Sequence, residues 1–105
     1  MPKFMFAYHG GKMPETQEAI DKEMAAWGAW VEKYQSVLAD PGDPVGQSYT
    51  VSASGTADNG GANPLSGYSI VEANDMDSAL AIAAECPQVN SGSIEVAEIL
   101  PIEMG

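Results

Sequence analysis

The segments of the chain, read in order as β-α-β-β-α-β, predict an α+β fold of the split βαβ, or ferredoxin-like, kind. Three observations carry this. Two stretches place apolar residues at helical spacing, four short runs suit strands, and clusters of Pro and Gly separate them. At 105 residues the chain is read as a single domain over 1–105, large enough to bury a core.

Strand one is Lys3 to Tyr8, an aromatic run bounded by Pro2 and Gly10-Gly11. Both of its alternating sets are apolar: Phe4, Phe6 and Tyr8 on one side, Met5 and Ala7 on the other. A strand apolar on both sides is normally covered on both faces. A long helix opens at Pro14-Glu15-Thr16 and stops at Asp40-Pro41-Gly42-Asp43-Pro44. Ile20, Met24, Trp27, Val31, Tyr34 and Leu38 form its apolar stripe, widened by Trp30 and Val37. Gly28 costs this helix about 1 kcal/mol relative to Ala, which predicts close approach of another backbone there.

Strand two is placed within Gly46 to Ala53, with Tyr49, Val51 and Ala53 on one face and hydroxyls on the other. Ser54 to Ser66 is read as a long loop, of the length that often carries function. Strand three runs Gly67 to Ala73. Asn74 or Asp75 caps a second helix, with Met76, Leu80 and Ala83 as its buried stripe and Pro87 as its stop. Strand four is Ser93 to Leu100. Two helices cover one sheet face, so the apolar residues on the other predict a homodimer with its two sheets facing each other.

Four Lys plus Arg against 15 Asp plus Glu give a net charge of −11. This balance argues against nucleic acid and anionic membranes as partners, because phosphates are repelled. No 18-residue apolar run is present, so no transmembrane helix is expected. The N-terminus lacks the pattern of a signal peptide, and a cytoplasmic location is expected. The single cysteine, Cys86, excludes an intrachain disulfide and a cysteine-rich zinc site. Its place at a helix C-terminus marks it as structural. One His, one Cys and scattered carboxylates give no metal-ligand spacing, and neither metal nor cofactor is expected.

His9 is the only histidine. It ends strand one, before two glycines, at a position read as the mouth of a cleft between the helices and the sheet. An imidazole there suits general acid/base work, although a hydrogen-bonded structural His is an equally ordinary finding at a strand end. Asp40, Asp43 and Asp58 are the carboxylates that neighbour strand two, and Asp43 and Asp58 are the candidates to orient it. Trp27 is a candidate pocket wall, and Tyr8 and Tyr68 are candidates to orient a substrate. Gly60 and Gly61, in Gly60-Gly61-Ala62-Asn63-Pro64, offer backbone N–H groups to a small anion, without the Lys and hydroxyl of a phosphate loop. Glu95, Glu98 and Glu103 read as a wet strand edge.

The run Gly67-Tyr68-Ser69-Ile70-Val71-Glu72-Ala73-Asn74-Asp75-Met76-Asp77-Ser78-Ala79, then Cys86-Pro87 and Gly92-Ser93-Ile94-Glu95-Val96, is similar to the second half of the YCII-related (DGPF) family. Tyr8-His9-Gly10-Gly11, Met24-Ala25-Ala26-Trp27-Gly28-Ala29-Trp30 and Pro44-Val45-Gly46 resemble its first half. The resemblance covers nearly the whole chain and implies a dimeric α+β barrel of ferredoxin-like subunits. In the better-known branch a His on the first helix and an Asp near strand two are proposed as an acid/base pair. The helix position matching that His is Trp27 here. The Asp-Gly-Pro-Phe motif is absent, its region reading Asp58-Asn59-Gly60-Gly61-Ala62-Asn63-Pro64.

Two functions from different classes follow. One is a homodimeric enzyme acting on a small organic molecule in a lyase- or isomerase-like step without a cofactor, with His9 moving the proton. The other is a non-catalytic dimer that binds a small ligand or a protein partner in the same pocket. A third reading gives His9 and the Gly-rich loop to the fold alone.

Overall fold

The computed structural model describes residues 1–102. Its strands are β1 (Lys3–Gly10), β2 (Leu38–Asp40), β3 (Thr50–Ser52), β4 (Gly55–Ala57), β5 (Leu65–Glu72) and β6 (Gly92–Ile99). Its helices are α1 (Gln17–Tyr34) and α2 (Met76–Ala84), followed by a 3-10 turn at Pro87–Asn90. Four strands form an antiparallel sheet in the order β2-β5-β1-β6, and β3 and β4 form a separate hairpin. With that hairpin set aside, the order β1-α1-β2-β5-α2-β6 is the ferredoxin-like α+β plan.

Strand alternation sorts the residues of β1. Phe4, Phe6 and Tyr8 point to the helices and join Trp30, Val71, Ala79, Ala83 and Cys86 in the core. Their partners across β6 are Glu98, Val96 and Ile94. Met5, Ala7 and His9 point the other way, opposite Ile70 and Tyr68 on β5 and Ala97 and Glu95 on β6. No helix covers that face, and Met5 is 43% exposed on it.

Both helices start on side-chain caps. Thr16 accepts the N–H of Ala19 at 3.1 Å, and Asp75 accepts that of Ser78 at 2.8 Å. The core face of α1 is Trp27, Trp30, Val31 and Tyr34, with Trp30 the residue most fully enclosed. The Trp30 indole donates to the Ile82 carbonyl at 3.1 Å and so ties α1 to α2. Met24, expected in the stripe, is 68% exposed and lies beside a cleft.

In α2 the buried residues are Ala79 and Ala83, while Met76 and Leu80, expected in its stripe, are exposed. Three further expectations are corrected. First, α1 stops at Tyr34, not at Asp40. A turn closed by the Val37 N–H on the Tyr34 carbonyl sends Leu38 into β2, where it pairs with Val71. Leu38 therefore reaches the core as a strand residue. Second, the second strand of the main sheet is β2, not Gly46 to Ala53. The hydroxyl-rich stretch pairs only with β4, and Tyr49 and Val51 are exposed. It carries too little apolar surface to join the sheet. Third, Gly28 meets no neighbouring backbone: a Cβ there would find nothing within 4 Å. Nothing in the structure explains this glycine. Glu103 lies outside the described residues. Among those residues no helix is long and apolar enough to cross a membrane.

Two predictions follow from the packing. Gly28→Ala raises stability by up to about 1 kcal/mol, read as a higher urea midpoint, since the helix interior gains Ala and nothing clashes. Phe6→Ala lowers stability by roughly 3–5 kcal/mol, while Val51→Ala on the hairpin stays within about 0.5 kcal/mol of the parent.

Candidate functional site

A cleft opens between α1 and the end of the sheet where β1 finishes and β5 begins. Its inner lobe, about 420 Å³, is bounded by Tyr8, Trp27 and Val31 on one side and by Pro41–Pro44, Gly67 and Tyr68 on the other. Its outer lobe, about 460 Å³, extends past Gly10–Pro14, Ile20 and Glu23. Met24, Trp27, Pro44, Ser66 and Gln88 line both lobes, which makes them one cleft. The wall is mostly apolar, with polar groups at few points, as small-molecule sites are.

Trp27 stands on α1 with its ring edge-on to Tyr8 (centroids 5.6 Å apart) and to Trp30 (5.9 Å). These contacts fix the indole as one wall. The opposite wall is the segment Pro41–Asp43, which is held from several directions. The Gly42 N–H donates to Asp40 Oδ1 at 2.8 Å, and the Tyr68 N–H donates to the Asp43 carbonyl at 3.3 Å. Gly42 has φ +76°, and a Cβ on it would fall 1.6 Å from the Tyr68 carbonyl oxygen, so only glycine fits there.

A third tether comes from the core. Ser69 Oγ donates to the Pro41 carbonyl at 2.7 Å, which leaves it to accept from the Tyr8 hydroxyl at 2.6 Å. Burial drives the Tyr8 phenol far above the usual tyrosine range, and the bond to Ser69 opposes that only in part. The Cys86 thiol adjoins the same hydroxyl and is itself raised, chiefly by burial. Both groups are therefore neutral, and Tyr8 serves the cleft as a buried donor that anchors Pro41.

His9 lies elsewhere. Strand alternation turns it onto the open face of the sheet, and it lines neither lobe of the cleft. The expected placement at the mouth between helices and sheet is thus corrected: Tyr8 takes the helix side, so its neighbour must take the other. His9 Nδ1 donates to the Asn63 carbonyl at 2.9 Å, with the Pro64 carbonyl at 3.3 Å. Nε2 lies 3.0 Å from Glu95 Oε1. Both partners are acceptors, so a doubly protonated ring satisfies both and a neutral ring only one. The carboxylate that meets His9 is Glu95, not Asp43 or Asp58. Glu95 was expected as a wet edge, and the cross-strand register places it opposite Ala7, one step from His9 on the same face.

The other expected site residues divide. Tyr8, Trp27 and Asp43 line the inner lobe. Tyr68 borders it too, but alternation turns its side chain to the face of Ala7, so it meets the cleft through its backbone. Asp58 sits beyond the hairpin, where its carbonyl accepts from Gln47. Gly60 packs between Ser48 and Pro64, and the Gly61 N–H is already donated to Asn59 Oδ1 at 3.0 Å. That geometry serves the turn and leaves no anion-binding pair of N–H groups. Ser66 and Gln88 are cleft residues that the sequence did not mark, and Met24, read as part of the helix stripe, is a third. Ser66 Oγ is buried and has no partner among the described residues. Among these residues no three of His, Cys, Asp and Glu converge as metal ligands do.

The sheet and its two helices define the chain as a small ferredoxin-like α+β domain. The YCII-related domain matches residues 4–103, so the chain belongs to the YCII-related family. Among solved structures it is similar to 5-chloro-2-hydroxyhydroquinone dehydrochlorinase (TftG) from Burkholderia phenoliruptrix AC1100, in complex with 2,5-dihydroxybenzoquinone. The two share 15% identity at a TM-score of 0.56, over 98% of this chain and 95% of that one. At that identity the likeness establishes the fold. No sequence among the curated proteins matches.

His9→Ala removes the bonds to Asn63 and Glu95 and is expected to lower stability by about 1–3 kcal/mol in urea unfolding. The Tyr8 phenol keeps its proton in the folded chain at a pH where the unfolded phenol loses it. Its contribution to stability is therefore complete below about pH 10 and is lost as pH rises above that. Tyr8→Phe is expected to flatten the alkaline limb of a stability-against-pH curve.

Proposed function

We propose that this protein is a small-molecule enzyme of the lyase or isomerase kind. It works without a cofactor, on a planar organic compound bound in the cleft against Trp27. The observation that carries this reading is the cleft itself, where an aromatic wall faces a tethered loop bearing Asp43. An Asp among the lining residues of a mostly apolar cleft suits proton transfer to or from an acidic C–H or O–H group. Asp43 takes the proton-moving role first given to His9, and His9 keeps a positioning role by pinning the segment that leads into β5. The dehydrochlorinase of similar fold, which holds a quinone, supports a planar oxygenated ring as the substrate class.

The experiment uses 2,5-dihydroxybenzoquinone as the first probe, with the indole N–H signals of Trp27 and Trp30 read by NMR. Binding is expected to shift the Trp27 signal, and Trp27→Ala to abolish the effect. Deuterium uptake by probe compounds in D2O, lost in Asp43→Asn with binding kept, is the expected sign of catalysis. No perturbation of Trp27 by any planar compound would overturn the reading. Binding with no exchange or turnover would favour the non-catalytic module, to which the His9–Asn63 bond, a structural use of the sole histidine, lends weight.

The proposal includes a homodimer built on the open sheet face, where Met5 is exposed and Ile70 half-buried beside Ala7 and no helix packs. A contiguous apolar sheet face is normally an interface. Sedimentation equilibrium at micromolar concentration is expected to give twice the chain mass, and Ile70→Asp to give the monomer. A monomeric parent would remove this part of the proposal.

A further inference from the structure

The chain has four basic residues, all lysines, and three of them line neither lobe of the cleft. Lys33 pairs with Glu85 at 2.6 Å and lies over the Tyr34 ring. Lys3 stands directly across the strands from Glu72. Lys22 is one helical turn from Glu18 on α1. Lys12 is the exception. It is the one lysine that lines the cleft, in its outer lobe, and like Lys3 and Lys22 it has no carboxylate within ion-pair distance among the described residues. In a protein with 15 acidic residues a lysine at the mouth of a cleft stands out.

Its position is set by the backbone. Gly10 and Gly11 take φ of +70° and +104° and turn the chain off the end of β1, along the cleft mouth towards Pro14. Gln88 fixes the start of that turn by donating to the His9 carbonyl at 3.0 Å. Lys12 is thereby at the mouth, with Trp27 and Met24 further in. Glu23 lines the same lobe and is the one acidic side chain that competes there.

Resting on the proposed small-molecule cleft, we infer that its ligand is a compact organic acid, with its ring against Trp27 and its carboxylate at Lys12. The surrounding charge of −11 repels anions from the rest of the surface. A local cation at the mouth therefore selects an anionic end group over a neutral one and sets which end of the ligand enters first. Glu23 limits the gain, so its neutralisation strengthens the same binding.

The test compares benzoate with benzamide, which have the same ring and differ in charge, by titration against the Trp27 indole signal. Benzoate is expected to bind more tightly than benzamide at low salt, and to lose that advantage as salt rises. Lys12→Met is expected to weaken benzoate by at least about threefold while leaving benzamide unchanged, and Glu23→Gln to tighten benzoate. Equal binding of the two compounds, or a Lys12→Met variant that binds benzoate as the parent does, would overturn the inference and leave the cleft reading intact. Failure of both compounds to perturb Trp27 would count against the cleft reading itself.

Discussion

The site depends on one chain of hydrogen bonds that crosses from the core to the surface. Tyr8 donates to Ser69, and Ser69 donates to the Pro41 carbonyl. Three separate pieces of backbone, β1, β5 and the segment after β2, are joined by two side chains. In a low-dielectric interior such a chain is strong when complete and costly when broken. It fixes the wall that carries Asp43 and keeps the Tyr8 ring edge-on to Trp27. The cleft is thus shaped by a buried polar network as much as by the apolar side chains that line it.

Much of the fold was legible because its signals were local and redundant. The alternation in β1, the helical spacing from Trp27 to Tyr34 and the cap at Asp75 each state their element directly. What escaped was a contest between patterns. Leu38 continues a helical stripe in sequence, yet a turn after Tyr34 turns the same residue into a strand partner of Val71. The stretch from Tyr49 to Ala53 alternates as a strand should, but alternation cannot say whether its partner is the main sheet or the next few residues.

The candidate site was legible in part for the same reason. Trp27, Tyr8 and Asp43 line the cleft, and they stood out in the sequence because aromatic walls and loop carboxylates are recognisable by type. The face occupied by His9 was set by parity along β1: once Tyr8 joins the core, His9 cannot. Glu95 was missed as its partner because the contact depends on the cross-strand register between β1 and β6, which one strand alone does not reveal. Ser66 and Gln88 carry no sequence signal, since each matters only through what folds beside it.

Apart from the His9 bonds to Asn63 and Pro64 at its base, the hairpin of β3 and β4 leans on little besides itself. Its strand residues are exposed on both faces, and its side-chain bonds, such as Thr50 to the Asn59 carbonyl, stay within the excursion between β2 and β5. The wall bearing Asp43 closes before this excursion begins, through Val45 on Ser66 and Tyr68 on Asp43. The arm is therefore a modular appendage. Changes of length or sequence at its tip leave the frame of the cleft, and the His9 bond to Asn63 at its base, in place, which makes the tip a natural splice point for engineering and a free variable for divergence.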